Sequence, residues 1–246
     1  MRISVSGTAN QGKTTIVSDF VKKWPTYREA NFNYRKLLED KGLSHSKGTS
    51  KETQMAILEG MAKEILSWDP DENIIMDRNP LDNIVYSLWA HDKGVGDIDD
   101  KFIEECIPIV AESMRAFDIL FFVPITKAHT VEIVDDGTRE ADETYINEVD
   151  AIFKAIQYQY RHDIKNCPFF IEEDAPAIIE IFGDPLTRMQ MIAQYIDVDG
   201  DAIEADNSQF SPENIAAMEE LLTDQQRAVL NSQMKEAGID IDKLKG

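Results

Sequence analysis

The chain has 246 residues, 43% of them hydrophobic, and carries 46 acidic residues against 25 Lys and Arg, a formal net charge of −21. That length fits one large domain, or one domain with an appendage. So acidic a chain repels phosphate at long range, which argues against general affinity for nucleic acid or anionic membranes but leaves room for a local basic cleft.

No apolar stretch approaches the roughly 20 residues that cross a bilayer, and the opening "MRISVSG" shows no leader pattern. Two distant cysteines, Cys106 and Cys167, are expected as buried free thiols in a reducing compartment. A cytoplasmic protein without membrane attachment is the expectation. The four histidines show no metal-ligand spacing.

In chain order, residues 2–7 (RISVSG) read as a buried strand, and residues 13–24 as a helix stopped by Pro25. Residues 33–42 look helical up to Gly42. After a polar loop, residues 52–68 place Met55, Leu58, Met61 and Ile65 at helical spacing. Residues 73–77 (NIIMD) form a short buried strand, 81–94 and 100–117 two helices, and 118–124 (DILFFVP) a strand apolar on both faces. An irregular segment leads to a long helix over 143–164, a strand over 177–183 and a helix over 185–196. This alternation predicts an α/β fold: a parallel sheet covered by helices on both faces, in three layers, over residues 1–196. Residues 197–246 read as an acidic linker followed by a helical hairpin. Its first helix has Ser211 as N-cap and Pro212 at N1, and its second a capping box at Thr223 and Gln226. Asp197, Asp199 and Asp201 do not space glycine as a calcium loop requires.

The strongest motif is Gly7-Thr8-Ala9-Asn10-Gln11-Gly12-Lys13-Thr14, which fits G-x-x-x-x-G-K-[ST] with a strand before it and a helix after it. Such a loop wraps a phosphate with backbone N–H groups at a helix N-terminus, aided by Lys13, while Thr14 offers a hydroxyl to Mg2+. Thr15 completes the nucleotide-binding stretch. The expected ligand is a nucleoside triphosphate, ATP before GTP, because no lysine is followed by Asp two places on, as guanine recognition needs. A motor-type ATPase usually ends its second strand in paired acids. Here the strand ends "IIMDRNPLDNIVY", with Asp77 placed to serve the metal or accept a proton and Arg78 to reach an anionic or hydroxyl-bearing substrate.

At "DRNPLDNIVY" the chain resembles P-loop kinases of nucleoside-type substrates, namely the thymidylate kinase and deoxynucleoside kinase group and the ribosylnicotinamide kinases. "VDDGTREADETYINEVD" is similar to the segment before a long helix in the latter. The resemblance implies a lid near residues 124–145 with Arg139 as its catalytic arginine, and Glu29 as a substrate-side acid or base. It also implies that Arg35 and Gln54 line the acceptor pocket, that Asp82 orients Arg78, and that Arg188 stacks on adenine. Relatives of this kind are often homodimers.

These readings lead to an ATP- and Mg2+-dependent kinase that phosphorylates a hydroxyl of a nucleoside or nucleotide-type small molecule, with Asp77 or Glu29 taking the proton. Two rivals remain open. One is a bacteriophage kinase acting on 5-hydroxymethyluracil in DNA, with Arg35, Lys36, Lys41, Lys47 and Lys51 as a basic track. The other is a nucleotide-dependent switch that engages a partner through its acidic tail.

Overall fold

The structure is a computed structural model that describes residues 1–43, 50–126 and 142–203. Residues 127–141 of the expected lid, Arg139 among them, the side chain of Arg35, Lys47 and the C-terminal hairpin lie outside the described residues.

Five parallel strands form one sheet: β1 (Arg2–Ser6), β2 (Arg28–Glu29), β3 (Ile74–Asp77), β4 (Ile119–Phe122) and β5 (Ala177–Glu180), in the spatial order β2-β3-β1-β4-β5. Seven helices accompany them among the described residues. They are α1 (Lys13–Lys23), α2 (Tyr34–Asp40), α3 (Lys51–Ile65), α4 (Pro80–Lys93), α5 (Asp100–Met114), α6 (Glu143–His162) and α7 (Pro185–Ile192).

Strand side chains alternate between the two faces, and each face builds its own core. Ile3, Val5, Ile75, Ile119 and Phe121 pack with Ile16, Val17 and Phe20 of α1 and Ile192 of α7. Ile74, Met76, Leu120 and Phe122 pack with Leu58, Leu81, Val110 and Phe153 from α3, α4, α5 and α6. Three layers result, as the alternation of elements predicts.

Of the described strands the sequence reading missed β2, whose two exposed residues carry no apolar signature; main-chain bonds from the Arg28 N–H to the Asn73 carbonyl and from the Ala30 N–H to the Ile75 carbonyl hold it. Both cysteines are free and buried, and burial pushes the Cys106 thiol up to about 12. At the end of the described chain, Asp197 Oδ1 accepts the N–H groups of Asp199, Gly200 and Asp201 at 2.9 Å each, so that carboxylate closes a turn. No helix among the described residues is long and apolar enough to cross a membrane.

Candidate active site

The carboxyl ends of β1 and β3 lie side by side, with Val5 paired to Asp77. The chain leaves β1 at Gly7 with φ 142°, and a Cβ there would stand 2.7 Å from the Val123 carbonyl, so only glycine fits. Asn10 and Gly12 also take positive φ, 61° and 72°, which turns the loop back on itself before α1 begins. Lys13 is 5% exposed, and its Nζ donates to the carbonyls of Gly7 and Thr8 at 2.7 and 2.6 Å. The Thr8 hydroxyl is tied to the Ile146 carbonyl of α6 at 3.1 Å, while Ala9 and Asn10 are half-buried and Thr14 and Thr15 exposed.

Thr14 reaches across to β3. Its hydroxyl donates to Asp77 Oδ2 at 2.6 Å, and Asp77 Oδ1 is buried without a partner. A hydroxyl beside a carboxylate with a spare oxygen is a hard-oxygen donor set, which suits Mg2+ better than softer metals. Among the described residues no group of three or more His, Cys, Asp or Glu could hold a metal. A metal here would therefore depend on phosphate oxygens for much of its coordination, as Mg2+ commonly does.

The next residue is strained. Arg78 has φ 71°, a left-handed conformation that costs a non-glycine residue about 1 kcal/mol. Its N–H bonds to the Val5 carbonyl. Asn79 then caps α4, accepting from the Leu81 N–H at 2.8 Å and donating to Ser4 Oγ at 3.0 Å. The Arg78 guanidinium is held by Tyr86, whose hydroxyl accepts from Nη1 at 3.3 Å and whose ring centroid lies 5.6 Å away. It also stands 3.8 Å from Asp82. Burial opposes the charge on Arg78, but Tyr86, Asp82 and Asp77 more than offset it, so its pKa lies above the ordinary value. Asp82 is 1% exposed, and burial raises its pKa against the pull of Lys13, Arg78 and the Ser6 hydroxyl that bonds it.

The structure thus brings together Lys13, Thr14, Asp77, Arg78 and Asp82. Gln54 lies on α3, where its Oε1 accepts from Asn83 Nδ2 of α4 at 2.7 Å. Glu29 is exposed at the end of the edge strand, in register with Ile75, apart from the cluster around Lys13 and Asp77 in its side-chain bonding among the described residues. Arg188 is buried and donates to the Gln11 carbonyl of the loop. Lys51, expected as part of a basic track, is paired with Asp99.

Sequence reasoning missed Tyr86 and Asn83. Both lie on α4, eight and five residues after Arg78, and Asn83 Oδ1 is buried without a partner. Their signal was the continuation "NIVY" after Asp-Arg, which reads on its own as a plain amphipathic helix.

A family model described as an AAA domain matches residues 2–169, well over half of the chain. The chain belongs to this AAA-domain family. No curated protein matches it. Among solved structures, deoxyadenosine kinase from M. mycoides, with dCMP and dCDP bound, is 17% identical with a TM-score of 0.55, covering 78% of this chain and 96% of that one. NadR in complex with NR is 13% identical with a TM-score of 0.53, covering 83% of this chain and 53% of that one. Thymidylate kinase from Candida albicans is 15% identical with a TM-score of 0.48, covering 82% and 96%. At these identities the first two show the fold this AAA-domain chain adopts, a P-loop sheet of the kind nucleoside kinases use. The matched span runs from β1 into the segment after α6, so it contains the loop, Asp77, Arg78 and Asn83. Arg188 lies beyond it.

Proposed function

We propose that the protein is an ATP- and Mg2+-dependent kinase that transfers the γ-phosphoryl group to a hydroxyl of a nucleoside or nucleotide-type small molecule. The observation that carries this reading is the junction of Thr14 and Asp77 at 2.6 Å, with Asp77 Oδ1 unpartnered and Arg78 strained beside it. A switch that only binds and hydrolyses a nucleotide has no use for a buttressed arginine at that strand end. A phosphotransferase does, because it must hold a second substrate in line. The deoxyadenosine kinase and NadR folds support the same choice of substrate class.

In this reading the loop from Gly7 to Thr15 binds the phosphates through backbone N–H groups. Lys13 leaves the Gly7 and Thr8 carbonyls for the outer phosphates. Thr14 and Asp77 would hold Mg2+, which when bound neutralises charge on the phosphates. Asp77 accepts the acceptor's proton or orients its hydroxyl; Glu29, on the edge strand, is the second candidate for that work. Arg78, kept charged by Tyr86 and Asp82, clamps the acceptor and the charge that grows during transfer. Gln54, locked by Asn83, offers an amide to a nucleobase.

The test is transfer of label from γ-labelled ATP, with Mg2+, to a panel of nucleosides, nucleoside monophosphates, ribosylnicotinamide, and duplex DNA with or without 5-hydroxymethyluracil. Label on a small hydroxyl acceptor is the expected result. Label on modified DNA alone would move the acceptor to DNA, and label only in released phosphate would overturn the kinase reading.

A further inference from the structure

One cation of the nucleotide site lies behind the loop instead of facing its ligand. Arg188, in the middle of α7, is 4% exposed. Its Nη1 donates to the Gln11 carbonyl and lies 3.5 Å from where a Cβ on Gly12 would stand. Its Nε is buried without a partner. Burial pushes its pKa down, and Asp184 one turn earlier pulls the other way. Among the described residues no carboxylate makes a salt bridge with it.

A buried cation without an ion pair is costly and persists where the surrounding structure makes use of it. The group it touches suggests what that use is. Gln11 lies between Asn10 and Gly12, both at positive φ, so the Gln11–Gly12 peptide belongs to no regular ladder. In a trans peptide the C=O and the next N–H point opposite ways. Holding the Gln11 carbonyl on a guanidinium therefore fixes the direction of the Gly12 N–H.

We infer that Arg188 is a positioning residue for the triphosphate, latching the Gln11–Gly12 peptide and adding fixed positive charge behind the loop for a polyphosphate ligand. This rests on the nucleotide-site reading above and replaces adenine stacking as the role of Arg188.

The experiment displaces a fluorescent ATP analogue with ATP or with inorganic tripolyphosphate, for wild type, Arg188→Gln, Arg188→Lys and Lys13→Ala. Arg188→Gln should weaken ATP and tripolyphosphate by the same factor, about tenfold or more. Arg188→Lys should return to within about threefold of wild type for both, since it restores the charge without the fork. If Arg188→Gln does not fold, Arg188→Lys decides alone: its small loss must be equal for the two ligands. Loss of ATP with tripolyphosphate unchanged would assign Arg188 to the adenosine moiety and overturn the inference. So would a Lys variant no better than a folded Gln variant, or a Gln variant that binds both ligands as wild type does. Wild type binding neither ligand, or Lys13→Ala binding both as wild type, would instead defeat the nucleotide-site reading itself.

Discussion

The two halves of the proposed kinase site are built differently. The donor half is one continuous stretch, Gly7 to Thr15, shaped by two glycines and Asn10 at positive φ, and its lysine rests on main-chain carbonyls. The acceptor half is gathered from α3, β3 and α4 and held side chain to side chain: Arg78 on Tyr86 and Asp82, Asn83 on Gln54. A main-chain cradle recognises phosphate and little else, so one substitution in its key side chain removes the function. An assembly of side chains reads shape and hydrogen-bond pattern, so single substitutions should tune it.

That contrast orders the expected effects. Asp77→Asn joins the two halves and should cost the most, about a hundredfold or more in transfer rate at saturating ATP; a rate within threefold of wild type would detach Asp77 from the chemistry. Tyr86→Leu removes the ring and hydroxyl that hold Arg78. It should slow transfer by about tenfold while leaving ATP affinity unchanged, which kinetics beside nucleotide titration would separate. Asn83→Ala should change the ratio of kcat/KM between acceptors bearing and lacking a base amino group by a few fold, about 1 kcal/mol. An unchanged ratio would remove Asn83 from acceptor recognition.

The smallest effect concerns stability. Burial raises the Asp82 pKa in the folded chain, so the folded state binds that proton more tightly than the unfolded one. Its contribution is most favourable below the unfolded carboxylate value and is lost as pH rises toward the raised folded value. Urea unfolding from about pH 4 upward should show stability falling less with pH in Asp82→Asn than in wild type. A steeper fall in the variant would contradict the assignment.

The donor half was legible in the sequence because its parts are local: a strand, a loop of fixed spacing and a helix follow one another without a break. The sheet was legible for the same reason, each buried strand being a short apolar run between helical patterns. Strand β2 was not, since Arg28 and Glu29 owe their pairing to Ile74 and Ile75, far along the chain. In the proposed acceptor half, the sequence shows Asp77 and Arg78 as a strand end, where the structure places them. Tyr86 and Asn83 were hidden, because only the crossing of α4 with the neighbouring elements turns two ordinary helix residues toward Arg78 and Gln54. The hydrogen bond of Arg188 was hidden too: nothing in "GDPLTR" says that its guanidinium reaches the carbonyl of a loop residue 177 positions earlier in the chain.

The most direct test of the account is label transfer from γ-labelled ATP to small nucleoside-type acceptors, with wild type and Lys13→Ala measured side by side. The account predicts label on a hydroxyl acceptor with wild type and none above background with Lys13→Ala. Full transfer by the variant, or no transfer by wild type beyond release of phosphate, would contradict it.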